Sequence, residues 1–126
     1  MAKILIVDDN RFFRQKLVEM FNREAGFQVC GEAENGKDAV EKALKLQPDL
    51  IILDFVMPVM NGLDAARVLR LLMPTVPLIL ASADFDRLAE QEAKVIGIPQ
   101  ILPKSTQMMI AKARQLLYST HVPAAA

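Results

Sequence analysis

Two stretches, Ile4-Leu5-Ile6-Val7-Asp8-Asp9 and Leu50-Ile51-Ile52-Leu53-Asp54, decide how the rest of the chain is read. Each is an unbroken aliphatic run that ends in acid. A strand with one wet face alternates apolar and polar residues, whereas a parallel strand covered on both faces is apolar throughout. Working outward, residues 27–30, 78–80 and 101–102 give three further short apolar runs, with amphipathic segments between them. In the first such segment Phe13, Leu17, Met20 and Phe21 recur at i, i+4, i+7 and i+8. In the last, Met109, Ala113, Leu116 and Leu117 repeat the pattern, so each helix has one face to bury. Asn35-Gly36 ahead of residues 37–46, and Asn61-Gly62 ahead of residues 63–72, supply turn residues and polar caps, and Pro48, Pro58, Pro74 and Pro77 fall between elements. Five strands alternating with five helices through right-handed crossovers predict an α/β fold. Its doubly wound five-stranded parallel sheet would lie in a three-layer sandwich.

The 126 residues, 52% hydrophobic and 24% charged, suit one domain. Fifteen Lys+Arg balance fifteen Asp+Glu, so no net field draws the chain to nucleic acid or an anionic membrane. The single cysteine, Cys30, cannot form an internal disulfide, and its neighbours Phe27 and Val29 predict a small buried hydrophobe. The N-terminus lacks the apolar stretch and cleavage site of a signal peptide, and no run approaches the ~20 apolar residues of a membrane span. The expectation is a cytoplasmic protein, with a domain over residues 1–120 and a frayed tail over 121–126.

The chemistry-bearing residues cluster at strand ends: Asp8 and Asp9 after the first, Asp54 after the third, Ser82 after the fourth and Lys104 after the fifth. Ligands of open parallel sheets bind at the carboxyl ends of the strands, so these distant positions would meet in one crevice. Three carboxylates brought together repel unless a cation or protons join them. Mg²⁺ suits such a site because it prefers oxygen ligands and keeps positions for water and phosphate oxygens. The loop after the first strand is acidic rather than glycine-rich, which disfavours flavin or dinucleotide binding. Singly, each residue has an ordinary reading: Asp9 as a helix cap, Asp54 as a turn residue, Ser82 as a loop hydroxyl, Lys104 as a solvated charge. Capping does not explain two adjacent acids.

Taken together, Ile-Val-Asp8-Asp9, Ile-Leu-Asp54-Phe-Val-Met-Pro58, Leu-Ala-Ser82-Ala83 and Pro-Lys104-Ser resemble the receiver domain of bacterial response regulators from Lys3 to about Tyr118. The segments Val-Cys-Gly-Glu-Ala-Glu-Asn-Gly36 and Asp54-Phe-Val-Met-Pro-Val-Met-Asn-Gly62 look most like receivers of the branch that often carries a LuxR-type output domain. The resemblance implies the flavodoxin-like strand order 2-1-3-4-5. It also implies that Asp54 takes a phosphoryl group from a sensor histidine kinase, a phosphotransfer protein or a small donor such as acetyl phosphate. By the same resemblance Asp9, Asp54 and the Val56 carbonyl ligate Mg²⁺, Asp8 holds metal-bound water, Lys104 pairs with the phosphoryl oxygens and Ser82 hydrogen-bonds to them. Partners would be a kinase and a downstream protein target or output domain. The face of the fourth strand, fourth helix and fifth strand would be switched, and could also form a homodimer. The chain would then be a signalling domain that catalyses its own phosphorylation and dephosphorylation rather than a turnover enzyme, and it is expected to stand alone.

The chain departs from the family in several places. Ile101 stands three residues before the lysine, where many receivers carry a switching aromatic, and its β-branch restricts rotamers. Phe85 is a substitute reporter of little weight. Pro103 precedes Lys104 and Ser105 follows it, where most receivers have a lysine followed by a cis proline; a cis Lys104–Ser105 bond would cost about 2.5–4 kcal/mol. Val56 and Asp84 occupy the positions that tune phosphoryl loss, and predict a lifetime neither very fast nor frozen. These departures leave one alternative, a phosphorylation-independent interaction or dimerisation module of the same fold. A phosphohydrolase with an Asp-x-Asp nucleophile loop does not fit Asp8-Asp9-Asn10.

Overall fold

The structure, a computed structural model, describes residues 1–83, 87–98 and 101–118. The elements run β1 (Ala2–Val7), α1 (Arg11–Arg23), β2 (Phe27–Ala33), α2 (Gly36–Leu46), β3 (Leu50–Asp54), α3 (Gly62–Leu72), β4 (Leu78–Ser82), α4 (Arg87–Val95), β5 (Ile101–Pro103) and α5 (Thr106–Tyr118). Every strand pairing is parallel, and the sheet order is β2-β1-β3-β4-β5, the flavodoxin-like order expected.

Side chains alternate across a strand with period two, so the aliphatic runs of β1 and β3 feed two cores at once. Ile4, Ile6, Leu50 and Ile52 join Leu17 and Phe21 of α1 and Met109 and Ala113 of α5 on one face. Leu5, Val7, Ile51 and Leu53 join Ala39 and Ala43 of α2, Ala65, Ala66 and Leu69 of α3 and Ala93 of α4 on the other. Small alanines on α2 and α3 let those helices lie close to the sheet, where a burial of larger side chains would hold them away. Phe13, Met20, Leu116 and Leu117 pack on the α1/α5 core while remaining partly exposed. Cys30 is only half-buried, because β2 is an edge strand; it packs on the α2/α3 core, and burial pushes its thiol pKa up.

Three helices start on an asparagine whose side-chain oxygen accepts a backbone N–H three residues on: Asn10 from Phe13 (3.0 Å), Asn35 from Asp38 (2.8 Å) and Asn61 from Asp64 (2.9 Å). The cap of α1 is therefore Asn10 and not Asp9, which leaves the Asp9 carboxylate for other work. At the far end Tyr118 donates its hydroxyl proton to the Gly26 carbonyl, accepts from the Ala2 N–H (3.2 Å) and lays its ring edge-on to Phe27. The last turn of α5 is thereby tied to the first residues of β1. Among the described residues no peptide bond is cis, so Lys104–Ser105 is trans. No described helix is long and apolar enough to cross a membrane.

Gly62 opens α3 directly beneath the end of β3. A Cβ there would lie 2.0 Å from the Asp54 carbonyl oxygen and 2.9 Å from the Phe55 Cα, both backbone atoms that cannot swing away. Gly62→Ala should therefore destabilise the protein by about 1–3 kcal/mol, as overpacking against a fixed wall does. A lowered urea midpoint with unchanged m-value is the expected reading; an unchanged midpoint would show that the β3–α3 loop gives way.

Candidate phosphoacceptor and metal site

The carboxyl ends of β1, β3 and β4 lie side by side in the sheet, with β5 next to β4, and the residues just past them meet as expected. Asp54 ends β3 on the same parity as Leu50 and Ile52, and Asp8 follows β1 on the parity of Ile4 and Ile6, so both acids turn towards the α1/α5 side. Asp8 is 2% exposed and Asp54 5%, whereas Asp9 is exposed. One carboxylate oxygen from each of the three lies within 4.8 Å of the others. A pocket of about 570 Å³ opens above them, lined by Asp9, Asn10, Asp54, Phe55, Val56, Ser82, Ala83 and Lys104.

Lys104 joins the acids. Its ammonium lies 3.0 Å from Asp8 Oδ2 and 3.3 Å from Asp54 Oδ2, and it also rests over the Phe13 ring, 5.2 Å from the centroid. Burial works against that charge, but the hydrogen bond to Asp8 and the fields of Asp54 and Asp8 outweigh it and hold the lysine above its ordinary pKa. Asp54 goes the other way from a typical carboxyl. Burial first, then the charge of Asp8, push it up to about 7 against the pull of Lys104. One lysine cannot neutralise three acids, and the surplus negative charge, presented by hard oxygen donors, is what a small divalent cation binds. The donor set fits Mg²⁺.

The backbone of the site is braced by Arg14, which the motifs do not single out, and by the glycines at the starts of α2 and α3. The Asp8 Oδ1 accepts the Asn10 N–H at 2.8 Å. Arg14 donates from Nη1 to the Asp8 carbonyl at 2.7 Å and from Nε to Glu32 at 2.9 Å, clamping the β1–α1 corner to β2. The N–H groups of Gly62 and Gly36 donate to the carbonyls of Phe55 and Met60, both at 2.9 Å, so α3 and α2 hold the loop after Asp54 from behind. In that loop the Met60 N–H returns to the Pro58 carbonyl (2.7 Å) around Val59, whose φ of 68° makes a strained three-residue turn with a β-branched residue at its centre.

Ser82 borders the pocket, pairs in register with Pro103 and is half-buried. Val56 borders it too, with its side chain 70% exposed. Ile101 sits beside Leu80 and packs on the α2/α3 core. Ser105 takes the place of the family's proline and works as a cap: its Oγ accepts the Met108 N–H at 3.3 Å, and its own N–H turns back to the Pro103 carbonyl at 2.7 Å. Asp84, Phe85 and residues 121–126 lie outside the described residues.

The raised pKa of Asp54 fixes the sign of a pH effect. The folded protein keeps that proton up to about pH 7, whereas the unfolded chain releases it near 3.8, so between these values folding takes up a proton. The contribution is full below about 4 and is lost as pH rises through 7. In metal-free buffer Asp54→Asn should therefore melt above the unmodified protein at pH 8, with the gap closing towards pH 4. A gap that widens on acidification would overturn the assignment.

Comparison with known proteins agrees with this geometry. The family described as response regulator receiver domain matches residues 4–114. A protein-glutamate methylesterase/protein-glutamine glutaminase of Hahella chejuensis is 37% identical over 120 residues, covering 94% of this chain and 31% of that protein. The chain thus spans under a third of that relative's length. The response regulator domain of Thermotoga maritima CheB superposes with a TM-score of 0.82 at 28% identity, covering 91% of this chain and 95% of that one. A LuxR-family two-component response regulator from Aurantimonas sp. superposes with a TM-score of 0.86 over 93% of this chain and 85% of that one; at 21% identity this is a likeness of fold. With the sheet order, the strand-end acids and the lysine in place, this chain belongs to the response regulator receiver domain family.

Proposed function

We propose that the chain is a phosphoacceptor switch in which Asp54 takes a phosphoryl group in the presence of Mg²⁺ and thereby changes a protein-binding face. The observation that carries this reading is the convergence of Lys104 on both buried acids, 3.0 Å from Asp8 and 3.3 Å from Asp54, at the mouth of an acidic pocket. Such an arrangement gathers charge to receive an oxyanion, since phosphoryl transfer depends on positioning and on neutralising the equatorial oxygens.

Asp9, Asp54 and the Val56 carbonyl would hold the ion, and Asp8 would hold it through water. When bound, the ion neutralises the acids and the phosphoryl oxygens. Asp54 attacks phosphorus with a carboxylate oxygen as the bond from phosphorus to the donor breaks, and the electron pair leaves with the donor's imidazole nitrogen or acyl oxygen. Lys104 meets the incoming oxygens with its ammonium, and the Ser82 hydroxyl donates to one of them. The carboxyl phosphate adds up to about two negative charges. Drawing Ser82 inward pulls on its register neighbour Pro103 and so on β5. With Ile101 packed on the core in place of a mobile aromatic ring, the movement reaching the β4–α4–β5 face is small. The donor is a histidine kinase or phosphotransfer protein. Likeness to the receiver of a methylesterase supports an output that is another protein domain, and the same face is where a second copy would pair.

Incubating the full chain with Mg²⁺ and acetyl phosphate should add one phosphoryl group to the intact mass. Asp54→Asn should add none, and Lys104→Ala should slow the reaction about 10²-fold, the usual cost of losing one oxyanion partner. An unmodified chain that stays at its starting mass, with partner binding unchanged by Asp54→Asn, would favour the phosphorylation-independent module instead.

A further inference from the structure

We propose that Phe13 is a positioning residue for the phosphoryl site: its ring face seats the Lys104 ammonium between Asp8 and Asp54, where the phosphoryl oxygens arrive. The inference rests on the phosphoacceptor reading and deepens it. Lys104 follows β5, a three-residue strand at the edge of the sheet, and its side chain is 19% exposed. Such a lysine has four rotatable bonds and a compact, strongly hydrated charge, and little in its own strand fixes where the charge lies. Two acids draw it. The Phe13 ring lies 5.2 Å from Nζ as well, within the range at which a cation is attracted by the negative face of an aromatic ring.

The ring is well placed to hold a position. Phe13 lies in the first turn of α1, and its N–H is bound by the Asn10 cap, whose own N–H is bound by Asp8. Its side chain packs on the α1/α5 core. One short path of hydrogen bonds thus fixes the ring relative to the acid that the lysine also contacts. Ser105 stands where the resemblance leads one to expect a proline after the lysine, so Lys104 is joined by a trans bond to the residue that caps α5. Phe13 supplies from α1 a restraint on the ammonium itself. Helical periodicity accounts for an apolar residue at position 13, but any of several aliphatics would satisfy it; the aromatic ring is what the cation uses.

The test compares the unmodified full chain with Phe13→Leu and Phe13→Met, which keep an apolar side chain without a ring, and with Phe13→Tyr, which keeps the ring. In metal-free protein the ε-protons of Lys104 should show an upfield ring-current shift that persists in Tyr and vanishes in Leu and Met. With Mg²⁺ present, the affinity for beryllofluoride, a tetrahedral mimic of the carboxyl phosphate, should fall roughly 3- to 10-fold in Leu and Met and return in Tyr. Affinity for Mg²⁺ alone should stay within about twofold, since the ring acts on the lysine rather than on the acids. A general loosening of α1 would weaken both ligands together and would overturn the proposal, as would equal beryllofluoride affinity in all four proteins. If the unmodified chain binds no beryllofluoride, the phosphoacceptor reading itself falls and this role with it.

Discussion

Repulsion between two carboxylates held out of water is the constraint on which the site is built. Asp8 and Asp54 are nearly inaccessible, and they come from neighbouring central strands whose aliphatic runs leave them no choice of position. Each run is apolar because helices cover both faces, and each ends where the cover ends, so the acids are placed by the same burial that makes the strands. Lys104 reaches them from β5, two strands beyond β3, or roughly 10 Å across the sheet at the usual strand spacing. A long side chain is needed for that span, and a single positive charge at its tip leaves the acids under-neutralised. The site is therefore electrostatically incomplete by construction, and the raised Asp54 pKa reflects its burial first and the uncompensated charge of Asp8 second.

Such a site keeps its shape only if the main chain around it cannot relax, and the bracing is almost entirely main-chain or directed at main chain. Arg14 binds the carbonyl of Asp8, Gly36 and Gly62 press on the loop after Asp54, and asparagine caps fix where three helices begin. The two glycines are the positions where backbone approaches backbone, and each leaves no room for a Cβ. Strain at Val59 is tolerated within the same loop because its two ends are held this firmly.

The strands, their order and the residues at their ends were legible because burial on both faces writes itself as unbroken aliphatic sequence and because chemistry gathers where that sequence stops. What the pattern could not carry is anything addressed to a carbonyl or dependent on a boundary of one residue. Asp9 and Asn10 are both good caps, and only the actual start of α1 separates them. Arg14 appears as a polar position on a helix, since its partner is the backbone of Asp8. Phe13 is announced by its period as core, which it partly is; its second contact, across to a lysine far along the chain, has no local signature. Cys30 was placed too deep because an apolar neighbourhood does not tell an edge strand from a central one.

The loop that follows Asp54 is divided between two kinds of contact. Its inner wall is made by carbonyls and amides that meet Gly36 and Gly62, while the side chains of Val56 and Val59 point outward, 70% and 79% exposed. Within a few residues the loop thus has two surfaces: an inner one of backbone groups fixed by hydrogen bonds, and an outer rim of exposed apolar side chains. Side chains at the outer rim can therefore change without entering the hydrogen bonds at Gly36 and Gly62 that hold the loop against the site.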